Sequence, residues 1–198
     1  LKLFKTLEGR PDAFPRATFH DSFEYFHAGW SEELPALFKK YRGYALEDHF
    51  AALAGVGDPE TVARVKCDYR ETLNDILVKE TFPKWTAWCR ARGIGTHNQA
   101  HGAPANPLEF YALADTPETE MFGRGERDRF ASGFDARFRE GDRSIFVSKF
   151  ASSAAHLTGK RFTSAESFTW IGEHFCETLE EMKAFGDLLF LAGVNRLY

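Results

Sequence analysis

Several bulk properties that would assign this chain to a partner or a compartment are missing. Basic charge is not in excess: 25 Lys and Arg stand against 29 Asp and Glu, a net charge of −4 over 198 residues. Without a basic field nothing draws the chain to a phosphate backbone, so nucleic acid is not an expected partner. Long apolar runs are absent as well. Stretches free of charge, such as Gly102 to Leu108 and Phe150 to Gly159, fall well short of the roughly 20 residues of a membrane-spanning helix, so no membrane association is expected. Cysteine is scarce. Cys67, Cys89 and Cys176 are odd in number, far apart and in no CxxC spacing, which argues against a disulfide framework and a structural zinc site. No GxGxxG or Walker-type glycine run follows the early strands, so the phosphate-cradling loops of nucleotide folds are lacking.

What the chain does have is core material. Hydrophobic residues make up 43% and aromatics 15%, including 20 Phe, which is ample for one packed core and rules out intrinsic disorder. Residues 1–198 read as a single domain. It opens on Leu1 and stops at Leu197-Tyr198 as an apolar segment begins, so it is expected to be cut from a longer polypeptide whose targeting signal lies elsewhere.

Periodicity and punctuation divide the chain into alternating strands and helices. Residues 1–16, with Gly9, Pro11 and Pro15, form a lead-in segment. Ala17–Phe23 reads as a strand ending in polar groups. Ser31 is the expected N-cap of a helix over Glu32–Arg42 that Gly43 stops. A short helix follows over Leu46–Leu53. Pro59–Arg92 is the longest helical pattern, to be kinked or split at Pro83 and ended by Gly93. Ile94–Ala100 is a strand, Asn106 caps a helix over Pro107–Ala114, and residues 115–120 are a loop or short strand. Residues 124–143 are the expected exposed loop, with Asp128–Phe138 as a possible helix within it. Ser144–Gly159 is helical, Arg161–Phe168 a strand, Leu179–Ala192 a helix, and Val194–Tyr198 begins a further strand. Repeated βα units predict an α/β fold with a parallel sheet. Strands that end in carboxylates, His or Gln favour a partial (β/α)8 TIM barrel of four to five βα units over a doubly wound sheet.

Three constellations carry chemistry. In Thr116-Pro117-Glu118-Thr119-Glu120, an extended backbone turns both carboxylates to one side. Like charges that close need a cation between them or a raised pKa on one. A hard cation such as Ca²⁺ or a general acid fits that demand, whereas a solvated surface turn would make none. Glu166 lies near the end of an expected buried strand, where a carboxylate must be paired or used. A structural ion pair and a catalytic role both satisfy this. Together with Glu118 or Glu120 it would face a second carboxylate across a barrel mouth, the arrangement that glycosidic cleavage uses. His97, Gln99 and His101 share a strand face, as a polar wall against sugar hydroxyls, as metal ligands, or as a satisfied edge. Asp21 and Glu24 end the first strand in a similar way. Trp30, Trp85 and Trp88 read as core, and Trp170, four residues past Glu166, as the wall of a sugar subsite.

At these residues the chain resembles glycoside hydrolase family 106, the large bacterial α-L-rhamnosidases. The resemblance runs in order through Asp21-Ser22-Phe23-Glu24, Trp30, residues 38–44 (FKKYRGY), residues 68–73 (DYRETL), residues 96–104 (THNQAHGAP), Pro117-Glu118-Thr119-Glu120, residues 149–156 (KFASSAAH) and residues 164–169 (SAESFT). It implies a catalytic barrel inside a longer, exported, multidomain protein. The implied reaction is calcium-dependent hydrolysis of terminal α-L-rhamnosyl linkages with inversion, on plant-type polysaccharides or glycosides. Carried onto this chain, Glu118 is a calcium ligand, Glu120 the general acid beside the same ion, and Glu166 the base or another ligand. Asp21, Glu24, His97, Gln99, His101 and Trp170 stay the candidate sugar contacts of the strand-end reading above. The family's β-sandwich domains and part of its barrel are not within these residues. Two rival readings remain at this point: a metal-dependent amidohydrolase-like barrel using His97, His101 and Glu166, and a non-catalytic carbohydrate-binding barrel remnant.

Overall fold

A computed structural model describes residues 5–7, 9–25, 28–121, 143–169 and 178–198. The strands are β1 (Ala17–His20), β2 (Gly95–Asn98), β3 (Thr116–Glu120), β4 (Ser164–Glu166) and β5 (Arg196–Leu197). Between them run α1 (Leu34–Arg42), α2 (Phe50–Leu53, entered through a 3-10 turn at Leu46–His49), α3 (Pro59–Asp75), α4 (Phe82–Arg90), α5 (Pro107–Ala112), α6 (Arg143–Leu157) and α7 (Leu179–Leu191). Every strand pairing is parallel, and the spatial order is the chain order, β1 to β5. A doubly wound sheet reverses its order at a switch point, and these strands contain no reversal. Right-handed crossovers taken in one direction put the helices on one face of the sheet, which leaves the other face to side chains.

Alternation along each strand sorts residues between those faces. Toward the helices, the His20 ring packs edge-on against Phe82 at 4.8 Å, and Asn98 Nδ2 donates to the Phe110 carbonyl at 3.3 Å. Thr119 Oγ1 meets Ser148 Oγ of α6 at 3.3 Å, and Ala165 sits in a cluster with Met121, Leu189 and Val194. The main core joins Phe82, Phe110 and Tyr111 to Ala151 and Ala154, small residues that let α6 approach closely. A second cluster, Leu34, Phe38, Leu46, Ala52 and Val65, is built from the α1 to α3 region alone. No helix among the described residues is long and apolar enough to cross a membrane.

Local signals act as their chemistry requires. Gly43 closes α1 at φ 85, with its N–H on the Lys39 carbonyl, a left-handed geometry that favours glycine. Asn106 caps α5 by accepting the Leu108 and Glu109 amides ahead of Pro107. Elsewhere the expectations need correction. Ser31 is not the cap of α1. Pro35, in the first turn, lacks an N–H and presets its φ, so the helix starts at Leu34 with Glu33 as a cap that makes no side-chain bond. The long helical pattern does divide near Pro83, into α3 and α4 with Pro83 in the first turn of α4, but without a gap in the helical winding. A wide π turn over Ile76–Thr81 precedes the proline, and the Phe82 amide bonds the Leu77 carbonyl. This relieves the clash and missing donor that proline brings to a regular helix. The strands are shorter than expected because ladder pairing, not apolar character, ends them. β1 stops at His20, where Gln99 N–H reaches its carbonyl at 2.9 Å, and Asp21 then folds onto the Ser22 amide at 2.8 Å. Trp30 is exposed rather than core, its ring 5.9 Å from that of Phe50. Gly29, just before it, is held by the Tyr69 hydroxyl on α3, so the chain is anchored through its backbone and the indole is left outside. Of the expected loop at 124–143, residues 124–142 lie outside the described residues, and Arg143 opens α6.

Candidate active site

On the face opposite the helices stand His97 and Gln99 from β2 and its exit, Glu118 and Glu120 from β3, and Ser164 and Glu166 from β4. The β3–β4 register pairs Glu118 with Ser164 and Glu120 with Glu166, so the two glutamates at the strand ends start from Cα atoms about 4.8 Å apart. Carboxylates so placed repel one another unless donors hold them, and each has its own. Glu118, 5% exposed, accepts Ser164 Oγ–H at 2.5 Å and faces His97 Nδ1 at 3.0 Å on the same oxygen. Glu120, 7% exposed, has Oε2 at 3.2 Å from His101 Nε2. Glu166 accepts Gln99 Nε2–H at 2.9 Å on Oε2 and Thr169 Oγ1–H at 2.8 Å on Oε1. Such hydrogen bonds to an ionised acceptor offset much of the desolvation cost of burying it.

The His97-Gln99-His101 set is therefore a wall whose three members reach three different glutamates. A cavity of about 400 Å³ opens beside it, lined by Ala17, Thr18, Phe19, His97, Glu118, Glu166 and Tyr198. The Tyr198 ring lies 5.8 Å from that of His97. The larger cleft, about 790 Å³, lies between α3 and residues 103–106. There Arg42 bridges Glu71 at 2.6 Å and Lys79 bridges Asp75 at 2.7 Å, so much of its charge is spent internally.

Asp21 and Glu24 are exposed, and both are engaged with Ser22, through its amide and its hydroxyl at 2.8 and 3.5 Å, not with the glutamates. Trp170 lies outside the described residues. Sequence reasoning missed Ser164, Thr169 and Tyr111. Ser164 was within reach, since a residue two before Glu166 on one strand shares its face. Thr169 follows the strand, and Tyr111, whose hydroxyl is 3.3 Å from His101 Nδ1, comes from a helix behind the sheet, where strand periodicity says nothing.

Whether calcium suits this set can be judged from its donors. Ca²⁺ takes six to eight hard oxygens. Glu118 and Glu120 supply carboxylates on one face, and Gln99 Oε1 is buried with no hydrogen-bond partner among the described residues, a neutral oxygen of the right kind. Among the described residues no three His, Cys, Asp or Glu side chains converge on one point. The protein donors are thus chemically suited and fill only part of such a shell.

A family profile described as alpha-L-rhamnosidase matches residues 11–198. The chain belongs to glycoside hydrolase family 106. A rhamnosidase structure from Novosphingobium sp. PP1Y superimposes with a TM-score of 0.75 at 26% identity, covering 99% of this chain and 19% of that one. A Formosa agariphila protein named "Putative beta-glucuronidase" is 30% identical over 178 residues, 89% of this chain and 14% of its own length. The chain thus spans under a fifth of each of these relatives. Membership of family 106 also corrects the amidohydrolase-like reading. His97 and His101, its supposed metal ligands with Glu166, bond Glu118 and Glu120 separately, while Glu166 is held by Gln99.

Proposed function

We propose that this chain is the acid–base arc of an α-L-rhamnosidase, five βα units of a (β/α)8 barrel that cleaves terminal α-L-rhamnosyl linkages with inversion. The single observation that carries the reading is the pairing of Glu120 with Glu166 across β3 and β4, both on the helix-free face and each on its own donors. The unreversed parallel order supports the barrel, because strands that follow one another without a switch point curl toward closure and present their carboxyl ends to one mouth.

In this reading one glutamate of the pair protonates the leaving oxygen as the C1–O bond breaks. The other takes a proton from the water that attacks C1 on the opposite face. Inversion needs carboxyl groups roughly 6.5 to 9.5 Å apart to admit that water. Separate anchors let side-chain reach, not strand spacing, set this distance. His97, Gln99 and His101 fix the orientation of the acids, and the open cavity takes the sugar ring. Asp21 and Glu24 extend the sugar contacts at the rim, and Trp170 is a further candidate sugar contact. Ca²⁺, with Glu118 and Glu120 among its ligands, would supply a positive anchor for sugar hydroxyls. The substrate class is a rhamnose-ended plant-type polysaccharide or glycoside.

The test uses the intact polypeptide that carries these residues, an aryl α-L-rhamnoside and proton NMR of the first-formed sugar. β-L-rhamnose is expected. α-L-rhamnose would contradict inversion, and turnover of an aryl β-D-glucuronide in its place would overturn the substrate. Binding of rhamnosides without any turnover would leave only a carbohydrate-binding barrel. Chelation is expected to lower the rate, with recovery on adding Ca²⁺ and not Mg²⁺.

A further inference from the structure

Tyr111 is fully buried on α5, behind the sheet. Its hydroxyl lies 3.3 Å from His101 Nδ1, and His101 Nε2 lies 3.2 Å from Glu120 Oε2. A hydrogen-bonded chain therefore runs from the helix layer, past the exit of β2, to a carboxylate at the end of β3. His101 Nε2 faces Glu120 Oε2, and because an ionised carboxylate only accepts, Nε2 is the donor of that contact and Nδ1 is left to accept from the phenol hydroxyl. Burial pushes the phenol well above its ordinary pKa, so it stays protonated.

A neutral imidazole carries one N–H and one lone pair. With Tyr111 donating to Nδ1, the N–H is at Nε2 and points at Glu120. We propose that Tyr111 is a positioning residue that fixes His101 as the Nε2–H tautomer, so that Oε2 of Glu120 is held as an acceptor and Oε1 is left for the substrate. This rests on the reading of Glu120 as a member of the acid–base pair. The consequence is the same in either role. As acid, the Oε1–H bond breaks while the leaving oxygen takes the proton and the electrons of the C1–O bond. As base, Oε1 takes the proton of the water whose oxygen bonds C1. His101 and Tyr111 keep their protons throughout.

Solid-state ¹⁵N NMR of the intact polypeptide, labelled in its histidine rings, reads the tautomer without needing turnover, and loss of signal in His101→Gln assigns it. The wild type is expected to show His101 protonated at Nε2 and bare at Nδ1. Tyr111→Phe keeps the ring and loses the donor. It should shift the signal toward the Nδ1–H form and lower kcat on an aryl α-L-rhamnoside about 5- to 10-fold, with KM nearly unchanged, the worth of one lost hydrogen bond. His101→Gln, which keeps an N–H for Glu120, should retain more activity than His101→Ala. A wild-type ring protonated at Nδ1, or an unchanged Tyr111→Phe spectrum, would overturn the proposal. An active wild type whose Tyr111→Phe variant keeps full kcat would also overturn it. No rhamnoside turnover in the wild type would refute the functional reading instead, and the spectrum alone would then decide the tautomer.

Discussion

On one side of the sheet Phe82 and Phe110 meet edge to face at 4.2 Å, and Ala151 and Ala154 of α6 close over them. On the other side stand Glu118, Glu120 and Glu166, each satisfied by Ser, His, Gln or Thr donors. The same five strands present both faces, because neighbouring residues in a strand point opposite ways. Between Thr119, turned to Ser148 on the helix side, and Glu120, turned to His101, the chain passes from scaffold to site in one residue. The helix face holds the protein together by excluding water. The open face keeps charge under control by hydrogen bonds. Substitutions should therefore separate cleanly into those that cost function and those that cost stability.

The largest expected effect falls on the open face. Glu120→Gln and Glu166→Gln should each lower kcat by about 10³-fold, with circular dichroism and urea midpoint close to wild type. Turnover near wild type in both would merge the two faces into a single structural role. Next comes the opposite outcome on the helix face. Phe110→Ala should cost about 3–5 kcal/mol of unfolding free energy, read by urea titration, while the folded fraction keeps its KM. Ser164→Ala sharpens the comparison, since it removes a donor from a carboxylate that stays buried. A loss of about 1–3 kcal/mol is expected, and Glu118→Gln in the same background should give part of it back by removing a buried charge that has lost one of its two partners.

The smallest effect concerns His20, whose ring is packed against Phe82 and Phe110 on the helix face. Burial holds its pKa below the ordinary 6.5, against the opposing pull of Asn98 and Asp21. The unfolded chain then binds more protons in that window, so this contribution is complete above about pH 6.5 and declines as pH falls toward the lowered folded value. Urea midpoints measured at about pH 7.5 and 5.5 should differ more in wild type than in His20→Leu. Equal differences would remove His20 from the account.

Much of this was legible in the residues. Gly43, Asn106 and the Pro107 start are short-range chemistry, and they end or begin helices where the sequence says they should. Period two was enough to predict that Glu118 and Glu120 share a side, and likewise His97 and Gln99. The strand limits were not legible, because β1 ends where β2 stops pairing with it, a property of two segments 78 residues apart in register from Ala17 to Gly95. Nor was the π turn before Pro83, which links α3 to α4 without a gap in the helical winding. The partners of the acids divide the same way. His97 and Gln99 came from a strand pattern, whereas Tyr111 reaches the site from a helix that only the fold brings behind it.

The central claim is that Glu120 and Glu166 act together on one sugar. A crystal structure of the intact polypeptide with a non-hydrolysed rhamnoside tests it most directly. The account expects one of the two carboxyl groups within hydrogen-bond distance of the glycosidic oxygen and the other across the ring, facing a water opposite the scissile bond. A rhamnoside seated with neither carboxyl group near its anomeric carbon would contradict it.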